Sequence, residues 1–157
     1  MPAAASRTSD WGCRLPRWVG IDYGTRRIGL AISDPGESIA SPGGVLDGSG
    51  TAPEAAHRVA DWMRRHEADQ AVVGLPLNMD GSEGPQAVLS RRFAQALAAC
   101  GVTVELWDER LSSFQADELM QSAGLSRTRQ DERRDAIAAQ VTLQSFLDSR
   151  RAHESGR

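Results

Sequence analysis

Apolar positions along this chain follow two rhythms, one of short continuous runs and one of helical spacing. "WVGIDYG" (18–24) and "RIGLAISD" (27–34) are apolar runs separated by a short turn, a pattern that predicts an antiparallel hairpin. A third strand is expected near Ile39 to Leu46, broken by Pro42 and Gly43. Ala55, Val59, Trp62 and His66 then recur at helical intervals behind Thr51 and Glu54, which have capping-box spacing, so a helix is predicted over about 52–67. "AVVGLP" (71–76) is too short and too uniformly apolar for an exposed helix, and reads as a buried strand ended by Pro76.

Leu89, Phe93, Ala96, Leu97 and Cys100 mark one face of a second helix, closed by Gly101, and "VTVELW" (102–107) is another strand. Ser112, with Gln115 three residues on, starts a third helix that Gly124 stops, and a final helix is expected from about 129 to 149. Strands come first and then alternate with helices. That order predicts an α/β domain whose mixed sheet holds an antiparallel hairpin and parallel members. The domain is expected over residues 17–149, with a loose extension at 1–16 and a charged tail at 150–157.

The length of 157 residues suits one sizeable core, and 40% hydrophobic with 25% charged residues is ordinary for a soluble protein. No apolar run reaches bilayer length, and the first sixteen residues resemble neither a signal nor an anchor, so cytoplasmic residence without membrane contact is expected. The two cysteines, Cys13 and Cys100, have no paired metal-ligand spacing, which argues against zinc or a disulfide framework. His57, His66 and His153 form no evident cluster and read as structural or solvated. A net charge of −3 argues against a protein that simply coats nucleic acid by bulk attraction. All eighteen basic residues are Arg, a bias that suits bidentate phosphate contacts and equally follows from genome composition.

Candidate chemistry lies at the carboxyl ends of the parallel strands, where open α/β sheets gather their ligands. The first strand ends at Asp22, the fourth in "GLPLNMDGS" and the fifth in Asp108, Glu109 and Arg110. Asp22 alone also reads as a turn-former before Gly24; convergence favours function. Asp135 precedes Ala138, Ala139, Thr142, Leu143 and Phe146 on the apolar stripe of the last helix, and the two alanines allow close approach to the sheet. A carboxylate on that face needs a cation, either a metal ion or the guanidinium of a buried Arg. Acids converging from separate elements suit a divalent ion held by oxygen, magnesium or manganese, and metal-assisted phosphodiester hydrolysis.

At "VGIDYGTRRIGLAISD", "VVGLPLNMDGS", "DERLSS" and "RRDAIAAQVTLQSFLD", over roughly residues 18–149, the chain resembles the YqgF/RuvX family, relatives of Holliday-junction resolvases. The resemblance implies a ribonuclease H-like fold: a five-stranded mixed sheet, strands 1–3 antiparallel and strands 1, 4 and 5 parallel, flanked by helices. It implies a nuclease that matures the 5′ end of pre-16S rRNA in ribosome biogenesis, with branched DNA and junction resolution as the alternative. Carried over by position, Asp22, Glu109 and Asp135 would be the catalytic metal ligands. "DERLSS" stands where the family often has "DERLTT", which keeps the hydroxyls.

Strand alternation points Asp108 and Glu109 to opposite faces if the strand continues that far; Glu109 is preferred and Asp108 stays open. Arg110, Asn78 and Arg26 are the candidate substrate contacts. Arg110 has pairing with a local carboxylate as its other role; Arg27 could grip a phosphate as well, and Arg26 and Arg27 both read more readily as surface charges. Asp34 ends the second strand at the opposite edge and reads as structural. The partners expected are pre-rRNA or branched DNA and the small ribosomal subunit, for a monomer or weak homodimer. Two rivals belong to other classes. "DYGTRRIG" resembles the phosphate hairpin of actin-like ATPases and sugar kinases, which need a second lobe that 157 residues do not supply. A non-catalytic ribosome-assembly or RNA-binding factor is the other, for which this acidic chain lacks interleaved aromatics and a strong basic patch.

Overall fold

The computed structural model describes residues 17–111 and 127–155. The extension expected over 1–16 and the helix expected between Ser112 and Gly124 lie outside the described residues. Strands β1 (Trp18–Asp22), β2 (Arg27–Ser33) and β3 (Ala40–Asp47) precede helix α1 (Ala52–Arg65). Then follow β4 (Gln70–Leu75), α2 (Pro85–Ala99), β5 (Thr103–Asp108), a 3-10 turn (Glu109–Leu111) and helix α3 (Arg127–Ser155). The sheet order is β3-β2-β1-β4-β5. The β1/β2 and β2/β3 pairs are antiparallel and the β1/β4 and β4/β5 pairs parallel, as expected.

Alternation within β1 and β2 divides the core. Val19, Ile21, Ile28 and Leu30 point to the face covered by α1 and α2, where they meet Val59, Met63, Phe93 and Leu97. Trp18, Ala31 and Val72 point to the other face, where α3 lays Ala139, Leu143, Phe146 and Leu147 over them. The two-sided cover explains why β1 and β4 read as nearly unbroken apolar runs.

Local signals account for the boundaries. Thr51 and Glu54 close a reciprocal capping box at the start of α1, satisfying donors that the first turn leaves unpaired. Strand β3 is not broken at Pro42 and Gly43; its register with β2 shifts between Leu30 and Ala31, so a bulge absorbs these residues on an edge strand where proline forfeits no ladder bond. The tail expected from residue 150 is helical as far as Ser155. Its arginines have work to do: the Arg150 guanidinium lies 5.1 Å from the Trp18 ring centroid, and Arg151 Nη1 donates to the Ser38 carbonyl at 3.3 Å. The Asp34 carboxylate caps its own turn, accepting from Ser38 N at 2.7 Å and Ile39 N at 2.9 Å.

Candidate active site

Asp22 ends β1 on the α3 side of the sheet, and its two lateral neighbours have no side chain. Across the antiparallel ladder it faces Gly29. On the parallel side the Ile21–Val73 pairing places Gly74 next along β4. Each glycine makes room for a different acid. A Cβ on Gly29 would collide with the carbonyl of Asp135, so α3 meets β2 backbone to backbone there and delivers Asp135 beside Asp22. A Cβ on Gly74 would collide with the Glu109 carboxylate and lie 2.9 Å from its Cγ, so the Glu109 side chain runs over β4 toward Asp22. Gly20 continues the same contact one step back along β1, where a Cβ would fall 2.6 Å from the Ala139 carbonyl oxygen. Glycine inside a buried strand is the sequence signal for such approaches, and the expectation that Ala138 and Ala139 permit them lacked these sheet partners.

The chain leaves β5 at Asp108 and turns through a 3-10 helix, so strand alternation does not govern Glu109. Asp108 turns away and binds Arg110, whose Nη2 donates to Oδ2 at 2.6 Å and Nε at 2.9 Å, and this pairing holds the Asp108 carboxyl below its ordinary range. Glu109 reaches Asp22 instead. Burial, with the Glu109 and Asp135 charges and the hydrogen bond to Glu109 added, pushes the Asp22 carboxyl up to about 8. Burial raises Glu109 as well, and the bond from Asp22 works in the opposite direction. The two buried carboxyls therefore share a proton across the hydrogen bond between them.

Asp135 joins this pair through charge and has a partner of its own. Arg27 Nε donates to Asp135 Oδ2 at 2.7 Å, the guanidinium alternative for an acid on this face. Arg27, which the sequence offered as a surface charge, is thus the cation of the site. The oxygen-only donors Asp22, Glu109 and Asp135 suit a hard divalent ion, which would offset both the burial and the neighbouring charges that raise Asp22. Among the described residues no three acids, His or Cys form a ready metal-binding group, and Asp135 is bonded to Arg27.

Arg110 pairs with Asp108, and its Nη1 also donates to the Met79 carbonyl at 3.2 Å, tying down the loop after β4. Within that loop Asn78 Nδ2 donates to Ser82 Oγ at 2.9 Å. Arg26 is exposed at the end of the β1–β2 turn. His66 stacks on Trp62 with ring centroids 3.9 Å apart, remote from the acids in sequence and fold.

A family model described as RuvX, Holliday junction resolvase, matches residues 16–149. This chain belongs to the RuvX family. Its five-stranded sheet is the ribonuclease H-like arrangement expected of a RuvX member. The chain is 46% identical over 136 residues to a Myxococcus xanthus protein named "Putative pre-16S rRNA nuclease", covering 86% of this chain and 89% of that one. It is 48% identical over 136 residues to a protein of the same name from Anaeromyxobacter sp. strain K, covering 85% and 98%. A solved structure of T. thermophilus RuvC in complex with a Holliday junction substrate is 17% identical, with 87% of this chain and 96% of that chain covered and a TM-score of 0.49.

Proposed function

We propose that this chain is a metal-dependent nuclease that hydrolyses phosphodiester bonds at the 5′ end of pre-16S rRNA. The observation that carries the reading is the convergence of Asp22, Glu109 and Asp135 at the sheet's carboxyl edge, where burial first, and then the charges of the other two acids, drive the Asp22 carboxyl to about 8. A divalent cation in such a site supplies water activation and stabilisation of charge on the phosphoryl and leaving oxygens. Asp22 and Glu109 would hold it, with Asp135 completing the set when it leaves Arg27. Freed from Asp135, the Arg27 guanidinium faces the same edge and can neutralise a substrate phosphate. Arg110 and Asn78 border the site on the β4–β5 side, and Arg26 on the hairpin side. The names of the relatives support pre-rRNA as substrate, and the family description makes a four-way DNA junction the second reading. The expected setting is the cytoplasm, with the small ribosomal subunit as the partner that presents the RNA. Among the described residues no helix is long and apolar enough to cross a membrane.

The test compares wild type and Asp22→Asn, purified identically, on a pre-16S 5′-end RNA, a four-way junction and an unstructured strand, with magnesium or manganese. Cleavage of the RNA by wild type, reduced on the order of 100-fold or more by the substitution, is expected. A variant that cuts as fast as wild type removes the proposed site. Preference for the junction, with a stable dimer by light scattering rather than the expected monomer or weak dimer, replaces the rRNA reading by the resolvase one. Binding without cleavage makes the chain an assembly factor.

A further inference from the structure

Beside the acids, a trough of about 640 Å³ opens between the N-terminal half of α3 and the edge strand β3. Val45 and Ala136 give it an apolar part. Three guanidinium groups from three separate places stand around it: Arg26 in the hairpin turn, Arg27 on β2 and Arg133 on α3. Arg27 links the trough to the acids through its bond to Asp135, and Ala136 in the lining is the next residue of the same helix. We infer that this trough is a subsite for the backbone of a single polynucleotide strand, which runs from the scissile position across the β3 edge. The inference rests on the nuclease reading and extends it by naming where the substrate lies on one side of the cut.

Two features favour a single strand. The three arginines line one hollow whose apolar part can take the flat side of an unpaired base, a surface that a duplex keeps in its stack. Arg27 both lines the trough and bonds Asp135, which sets the trough one side chain from the acids. Its electrostatics are graded by two acids. Glu132 and Asp47 share the lining, and Asp47 is engaged by Ser49, whose amide donates to it at 3.0 Å. Glu132 is exposed on α3 and opposes a phosphate directly. Removing Glu132 and removing Arg133 should therefore act with opposite signs, which a loss of structure cannot imitate.

The experiment measures fluorescence anisotropy of labelled twelve-nucleotide RNA and DNA single strands of one sequence, and of the corresponding duplex. The protein is the full-length Asp22→Asn chain without added metal, across a salt series. Arg133→Glu in that background is expected to weaken single-strand binding about tenfold and to flatten the salt dependence by about 0.7 per lost phosphate contact. Glu132→Gln is expected to tighten binding about two- to threefold. Arg133→Ala, falling between wild type and Arg133→Glu with an unchanged melting temperature, guards against misfolding. Equal effects on RNA and DNA support recognition of the shared backbone, and an effect on RNA alone supports the trough with RNA as its source. Single-strand affinity unchanged within twofold in Arg133→Glu, or an effect confined to the duplex, overturns the trough. Absence of single-strand binding also overturns it, while cleavage that depends on Asp22 leaves the nuclease reading intact.

Discussion

Replacing Asp22 with Asn removes the charge that the metal-free site tolerates least, and the substitution should stabilise the protein at the expense of its activity. In the folded chain the Asp22 carboxyl titrates near 8, against 3.8 for an unhindered carboxyl. The folded state therefore holds a proton that the unfolded chain releases above about pH 4. A raised acid contributes stability that is fully present below the unfolded pKa and is lost as pH rises through the folded one. The interval of about 4 units, at 1.36 kcal/mol each, sets an upper limit near ~5 kcal/mol by pH 8. Asn carries no proton to lose, and its amide can still donate to Glu109. At about 2–4 °C per kcal/mol for a chain of this size, Asp22→Asn should melt as much as ~10–20 °C above wild type at pH 8 and alongside it at pH 4. Manganese should raise the wild-type melting temperature at pH 8 and leave the variant nearly unmoved. Calorimetric scans from pH 4 to 8 decide the matter. Parallel profiles for the two proteins would refute the argument that Asp22 is held protonated by its neighbours.

Three further outcomes separate the parts of the site. Gly29→Ala sets a Cβ against the Asp135 backbone and should lower stability by about 1–3 kcal/mol in urea titration along with activity, whereas Gly74→Ala displaces only the Glu109 side chain and should cut kcat/KM about 100-fold with little change in melting. Arg27→Met releases Asp135 from its guanidinium and should raise manganese affinity about three- to tenfold by isothermal calorimetry, while lowering kcat; unchanged affinity would separate Arg27 from the metal. Thr51→Ala opens the α1 capping box, far from the acids, and should lose about 1 kcal/mol of stability with unaltered turnover, a control that ties any larger loss of activity to the site.

The order and direction of the strands were legible because each run carries its own rhythm: paired apolar runs for β1 and β2, a capped helical stripe for α1, an unbroken buried run for β4. Asp135 was legible as an acid on an apolar stripe. Its partner was not, because Arg27 lies 108 residues away and pattern carries no information about which cation closes a long-range pair. The choice between Asp108 and Glu109 stayed open for a different reason. Alternation applies while a strand lasts, and the 3-10 turn at Glu109 ends it one residue too early for the rule. Gly29 and Gly74 stood in plain view inside apolar runs, where they read as gaps in the pattern, although each makes room for a neighbouring acid.

The contact between Gly29 and the Asp135 backbone is one end of a long seam. Helix α3 is 29 residues long, and from that contact it stays on the sheet through Ala139, Leu143, Phe146 and Leu147 to the Arg150 guanidinium over Trp18. From Asp135 to Arg150 the seam measures about 22 Å at 1.5 Å per residue. The acid is therefore held in place by a whole line of packing, and one methyl group at Gly29 would part that line at the acid itself.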